Sequence, residues 1–237
     1  MAASYTRKVL VLQHVEPEHL GRIADALTDE GVEFTYLRPD LGQPIPKRLD
    51  GFQGLVVMGG PQSVYDEDRF PYLATEKALV RNAIETERPV LGVCLGSQIL
   101  AEVLGSRVYP GGVFELGWKK VTISPEAAND YVLGVLPEII TPLHWHGDIY
   151  DLPPGATLVG SSELTPVQGF ISQGIFYGLL FHLEITPAQL SIMVEGFPDD
   201  VHRGGTTPAA LLAEAAEQAE IMREQGQAVF RRWASLV

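Results

Sequence analysis

Cys94, His182 and Glu184 have the types and spacing for nucleophilic chemistry. Cys94 is the only cysteine in the chain and stands in the pattern G-V-C-L-G, between Gly92 and Gly96. An apolar run, Pro89 to Val93, precedes it; Ile99, Leu100, Val103 and Leu104 follow at helical spacing and end at Gly105. This reads as buried strand, sharp turn and amphipathic helix, the cysteine form of a nucleophile elbow. The flanking glycines suit a turn too crowded for side chains. A sulfur lifted to a helix N-terminus meets free N–H groups and a dipole that favour a thiolate. A lone cysteine is more commonly a small buried hydrophobe, so the reading depends on a base and an oxyanion site elsewhere.

Of six histidines, His182 has the best setting for a base, because it ends the apolar run F-Y-G-L-L-F at the strand-end edge where α/β folds build their sites. Glu184, two residues on, returns to the same face of extended backbone and can hold the imidazole tautomer. The plain alternative is a surface pair on an edge strand. The N–H of Leu95, just after the nucleophile, is one oxyanion donor by elbow geometry; a second is expected from a neighbouring strand-end loop, and Gly59-Gly60 ends such a strand. His144, His146 and Asp148 alternate onto one strand face and raise a zinc alternative. The expectation is no bound metal, with His144 packed in the core.

Around these residues the chain alternates strands and helices. Lys8 to Gln13, Phe34 to Leu37 and Gly54 to Met58 read as strands, and helices are expected from Pro17 to Gly31 and from about Tyr72 to Thr86. Val108 to Ile123 suggests short strands about a Gly111-Gly112 turn. Asn129 to Pro137 reads as irregular and Pro142 to Ile149 carries L-H-W-H-G-D-I. Three hairpin-like strands follow: Thr157 to Ser161, Val167 to Ile171 and Ile175 to Phe181. A helix from Pro187, a loop from Pro198 to Gly205 and a long helix from Thr207 to about Trp233 complete the chain. The order points to βαβ units, hence an α/β, doubly wound, mostly parallel, flavodoxin-like sheet. We expect a single domain over residues 1–237, with a core of about 8–186 and a helical extension of about 187–237. Trp118, Trp145 and Trp233 read as core or interface aromatics.

The 237 residues are 46% hydrophobic with a net charge of -13, which supports a packed core and argues against nucleic acid or an anionic membrane as partner. One cysteine excludes an internal disulfide and fits a reducing compartment. The N-terminal M-A-A-S-Y-T-R-K has no leader-like apolar run, and no run reaches the length of a membrane span. A cytoplasmic protein is the expectation.

The motifs G-V-C-L-G-S-Q, V-M-G-G-P-Q-S-V-Y-D, H-W-H-G-D and F-H-L-E, in this order, resemble the class I glutamine amidotransferase domain over about Lys8 to Thr186, and most closely free-standing members similar to the amidotransferase domain of GMP synthase. The resemblance implies attack of Cys94 on a glutamine side-chain amide, a γ-glutamyl thioester, and His182 as base then acid, oriented by Glu184. It implies oxyanion N–H groups from Gly60 and Leu95, with Gly59 among the substrate-binding residues. Gln98 would contact the glutamine, and Trp145, His146, Gly147 and Asp148 would bind its α-amino and α-carboxylate ends through their backbone. No cofactor is implied. Leu183 stands where the family usually has proline. The acceptor half is missing, since no G-x-x-x-x-G-K-[ST] loop is present. Either a separate synthetase subunit uses the ammonia, or the chain acts alone on γ-glutamyl peptides; a silent regulatory module is the non-enzymatic alternative.

Overall fold

A computed structural model describes residues 6–237. Met1–Tyr5, which include most of the segment read above for a leader, lie outside the described residues. The central sheet has nine strands. In chain order these include β1 (Lys8–Leu12), β2 (Glu33–Leu37), β3 (Gly54–Val57) and β4 (Val90–Val93). A two-stranded ribbon is made by β5 (Val108–Trp118) and β8 (Leu143–Tyr150), with β6 (Val121–Ile123) and β7 (Ile139–Ile140) between them in sequence. The strands β9 (Thr157–Ser161), β10 (Gly169–Ser172) and β11 (Phe176–Leu179) return to the main sheet. Its order is β2-β1-β3-β4-β11-β10-β9-β6-β7. From β2 to β11 neighbouring strands are parallel; from β11 to β7 they are antiparallel. The flavodoxin-like expectation holds, with the hairpin strands extending one edge.

Both faces of the sheet are covered, which is why the parallel strands are near-continuous apolar runs. On β1, Val9 and Val11 join the core under α1 (Arg22–Asp29) and α6 (Pro208–Ala234). Leu10 and Leu12 join the opposite core under α2 (Tyr72–Glu85) and α3 (Leu95–Val103). A third cluster, with Trp145, Leu190 and Leu211, ties α4 (Pro187–Gly196) to the ribbon and α6.

Three boundaries differ from the sequence reading. Helix α1 starts at Arg22, not near Pro17, because Gly21 adopts φ 49° and a Cβ there would fall 2.3 Å from the Glu184 carbonyl oxygen. Docking of this turn on the Glu184 backbone, sealed by Arg22 N–H to Glu184 O at 3.0 Å, sets the start. Gly111-Gly112 is no hairpin turn but part of an irregularity between Pro110 and Glu115 within the single long strand β5. Pro198 to Arg203 is a helix, α5, not a loop. Proline at its first position, Asp199 and Asp200 in its first turn and His202 and Arg203 in its last all favour it.

Candidate active site

The sheet brings three sequence-distant motifs together. Strands β3, β4 and β11 are neighbours, with β4 in the middle. Gly59-Gly60 follows β3, Cys94 follows β4 and His182 follows β11. All three therefore emerge at the carboxyl edge of the parallel strands, where open α/β sheets bind ligands.

Cys94 has φ 50° and ψ -110°, a backbone conformation that L side chains avoid. It is held there by its neighbours. A Cβ on Gly92 would meet the Gly96 carbonyl oxygen at 2.4 Å, and one on Gly96 would meet the Val57 carbonyl oxygen at 1.9 Å. The Cys94 N–H donates to Leu179 O at 2.8 Å, and Ser97 N–H and Oγ both donate to Cys94 O, at 3.0 and 2.7 Å. The sulfur is 3.6 Å from the Trp145 carbonyl oxygen, to which the thiol donates. Leu95 opens α3, so its N–H has no intrahelical acceptor.

His182 and Glu184 are each 1% exposed, which rules out the surface pair. His182 Nδ1 is 2.7 Å from Glu184 Oε1. The other ring nitrogen, Nε2, has no hydrogen-bond partner, and Cys94 is near enough to His182 to raise its pKa. A hydrogen bond between nucleophile and base is commonly long before substrate binds. The His182 N–H donates to Leu143 O at 2.8 Å, in an antiparallel bridge to β8. Leu183 points the other way, fully buried among the core residues under α1 and α6. Gly226 of α6 packs so closely on the Leu183 carbonyl that a Cβ would lie 2.5 Å from it. Packing thus fixes the segment without a proline ring.

Burial works against a charge on His182, but Glu184 and Cys94 outweigh it and raise its pKa well above the usual value. Burial likewise pushes the Cys94 thiol up, and the His182 interaction offsets this only in part. The low thiol pKa expected from the helix N-terminus is therefore corrected: Cys94 is 7% exposed, and its burial raises the thiol pKa.

A cavity of about 340 Å³ opens over the sulfur. Gly60, Gln98, Trp145, His146, Gly147 and Asp148 line it, as does Cys94. Gly59 lies just behind, where a Cβ would be 3.5 Å from Cys94 Cβ. Gln98 donates to Asp148 O at 3.1 Å, while the Asp148 carboxylate accepts from Ser63 and Tyr65 at 2.7 and 3.0 Å. Trp145 Nε1 donates to Asp200 Oδ2 of α5 at 3.0 Å.

Asp148 does not join His144 and His146. The ribbon pairs His146 with Glu115 instead, and Glu115, His144 and His146 form the one set among the described residues whose donor atoms lie close enough for a metal, within 4.8 Å. The Glu115 carboxylate already accepts from Ser162, Thr165 and Gln168, at 2.9, 2.5 and 3.1 Å. Burial lowers the pKa of both imidazoles, His144 to about 3, so they are neutral at physiological pH.

Sequence reasoning missed Glu18, the pair His14–Glu76 and Arg203. Glu18 and Arg203 line the cavity. His14 Nδ1 is 3.0 Å from the Gly59 carbonyl oxygen and its Nε2 is 2.9 and 3.0 Å from the two Glu76 oxygens. The position of His14 just past the end of β1 was the available signal.

Comparison with known proteins agrees with this geometry. The family model for glutamine amidotransferase class-I matches residues 19–195. A glutamine amidotransferase-like protein of Salmonella typhimurium, YfeJ, is 32% identical over 183 residues, 76% of either chain. The GMP synthase of Natranaerobius thermophilus is 37% identical over 133 residues, 55% of this chain and 24% of that protein. The chain thus spans about a quarter of the GMP synthases it matches. The crystal structure of a glutamine amidotransferase from Thermotoga maritima superposes with a TM-score of 0.88 at 32% identity, covering 96% of this chain and 98% of that one. That of a glutamine amidotransferase from Methylobacillus flagellatus gives 0.90 at 25% identity, covering 98% and 96%. A family match over residues 19–195, most of the length, means that the chain belongs to the class-I glutamine amidotransferase family.

Proposed function

We propose that this protein hydrolyses a γ-glutamyl amide through a Cys94–His182–Glu184 triad. The observation that carries the reading is the 2.7 Å contact of His182 Nδ1 with Glu184 Oε1, which leaves Nε2 for a nucleophile seated on a strained elbow. His182 takes the thiol proton as the Cys94 sulfur forms a bond to the substrate's δ-carbon. The carbonyl oxygen gathers negative charge and is met by the N–H groups of Gly60 and Leu95. The C–N bond breaks, His182 returns the proton to nitrogen, and ammonia or an amine leaves. Water, deprotonated by His182, then attacks the thioester; the C–S bond breaks and glutamate departs. Gln98 and the segment Trp145, His146, Gly147 and Asp148 hold the substrate. Glu184, 2.7 Å from Nδ1, strengthens the His182 imidazole as a base, and transfer of the thiol proton to Nε2 leaves a thiolate–imidazolium pair that Glu184 stabilises.

Two destinations remain for the nitrogen. The matched GMP synthases bear glutamine hydrolysis in their name, which supports an amidotransferase supplying a separate synthetase subunit. A stand-alone γ-glutamyl peptidase is favoured by His14. A trans peptide points the Gly60 N–H opposite to the Gly59 carbonyl. Since His14 holds that carbonyl, the Gly60 N–H is aimed without help from a partner chain. We read residues 1–237 as one catalytic unit, supported by packing of α6 on α1 and on Leu183. No helix among the described residues is long and apolar enough to cross a membrane. The single free thiol suits a cytoplasmic setting. The test is glutamate release from L-glutamine and from γ-glutamyl dipeptides, beside Cys94→Ala. Brisk dipeptide turnover by the chain alone supports the peptidase; slow glutamine turnover that rises with a synthetase supports the amidotransferase.

A further inference from the structure

The cavity wall carries two charges that the triad does not use. Glu18 is 7% exposed, and among the described residues its carboxylate has no hydrogen bond or ion pair. The side chain reaches in beside the nucleophile: a Cβ on Gly59 would fall 1.9 Å from Glu18 Oε2 and 3.5 Å from Cys94 Cβ. Leaving a carboxylate buried and unpaired is costly, so its retention points to a cationic group that arrives from outside. Arg203, at the end of α5, stacks over the Phe114 ring at 4.5 Å and has no carboxylate partner. Its Nη2 would be 3.3 Å from a Cβ on Gly147, which sets the guanidinium against the Trp145–Asp148 part of the cavity lining. Asp200, three residues earlier and so on the same face of α5, is close enough to Glu18 for their charges to interact.

We propose that Glu18 and Arg203 are a clamp for an α-amino acid head group, Glu18 taking the α-ammonium and Arg203 the α-carboxylate of the γ-glutamyl unit. This rests on the reading of Cys94 as the nucleophile for a γ-glutamyl amide and adds side chains, from outside the Trp145–Asp148 segment, that select for it. One carboxylate and one guanidinium, both unpaired and in one cavity with the sulfur, match a zwitterion that presents a side-chain amide. An α-linked glutamyl peptide has no free α-carboxylate and is rejected.

The surroundings of Glu18 tune its charge. Its pKa is pushed up to about 7, first by burial and then by Glu184 and Asp200, against the pull of His182 and His14. The same cavity lining also carries Cys94 at the elbow, His146 and Asp148 from β8, and Asp199 and Arg203 from α5. An arriving ammonium ionises Glu18, so selection for the α-amino group fades as pH falls below about 7.

Calorimetric titration of full-length Cys94→Ala at about pH 8 reads the clamp without turnover. The ligands are L-glutamine, glutaramate (no α-amino group) and 4-aminobutanamide (no α-carboxylate). Glutamine should bind about 10- to 100-fold more tightly than either, the size of one charge-assisted hydrogen bond. Adding Glu18→Gln should bring glutamine and glutaramate to near equality and leave the preference over 4-aminobutanamide intact. Arg203→Gln should do the reverse, and Glu18→Asp should keep part of the α-amino preference. An undiminished preference for glutamine over glutaramate in Glu18→Gln overturns the clamp, as does an equal loss for all three ligands or no measurable glutamine binding by Cys94→Ala. The nucleophile is judged separately: glutamate release that survives in Cys94→Ala would refute the reading of Cys94 and leave these affinity ratios standing.

Discussion

His14 holds the peptide that ends β3: its Nδ1 donates to the Gly59 carbonyl at 3.0 Å, while Nε2 donates to Glu76. Two donated bonds require the imidazolium. Burial opposes that charge, but Glu76 and the Gly59 carbonyl raise the His14 pKa. A buried ion pair of this kind adds little net stability, but breaking it leaves one charge stranded.

Glu76→Gln should therefore act on the oxyanion peptide. We expect kcat to fall by up to about 100-fold, within the range for loss of one oxyanion donor, with KM little changed. Steady-state kinetics of glutamate release decide this. An intact kcat with a raised KM would assign His14 and Glu76 to substrate binding.

Glu18→Gln should stabilise the protein at alkaline pH. A carboxyl whose folded pKa is raised, here from 4.5 to about 7, keeps its proton in the folded state while the unfolded chain loses its own. Stability then falls as pH rises from about 4.5 to 7 and stays low above, by up to about 3 kcal/mol from this group. The variant should melt higher than wild type at about pH 8 and alike at about pH 4. Equal melting temperatures at both would contradict the burial argument.

Much of the site was legible because its parts are local. The elbow needs two glycines and a cysteine at fixed spacing, and His182 and Glu184 need only period-two backbone. What escaped the sequence depends on register and long-range docking. Glu115 replaces Asp148 beside His146 because an irregular strand pairs there, and no local pattern encodes that pairing. Glu18 enters the cavity because α1 starts late, a consequence of Gly21 meeting Glu184, more than 160 residues away. Helix α5 has its signal in P-D-D-V-H-R, where proline and charge order agree, but the stretch is short and ends in Gly204-Gly205, which is why Pro198 to Gly205 reads as a loop from sequence.

Cys94 should titrate above a free thiol when labelled with iodoacetamide across pH, since burial raises it. His182→Ala should move the midpoint further up, because the lowering interaction is lost. A midpoint below that of free cysteine would restore the dipole-dominated thiolate.

Gly96→Ala should be poorly tolerated, for its Cβ would sit 1.9 Å from the Val57 carbonyl oxygen, which is backbone and cannot yield cheaply. We expect a loss of about 1–3 kcal/mol or more, the range for overpacking, read by urea denaturation. A variant as stable as wild type would show that the elbow is looser than its contacts imply.

The most direct measurement is peptide mass mapping of the protein, acid-quenched during turnover of a γ-glutamyl substrate. The account predicts a γ-glutamyl adduct on the peptide containing Cys94, present in wild type and absent in Cys94→Ala, whose glutamate release falls to background. Undiminished release by Cys94→Ala, or an adduct on any other residue, would contradict it.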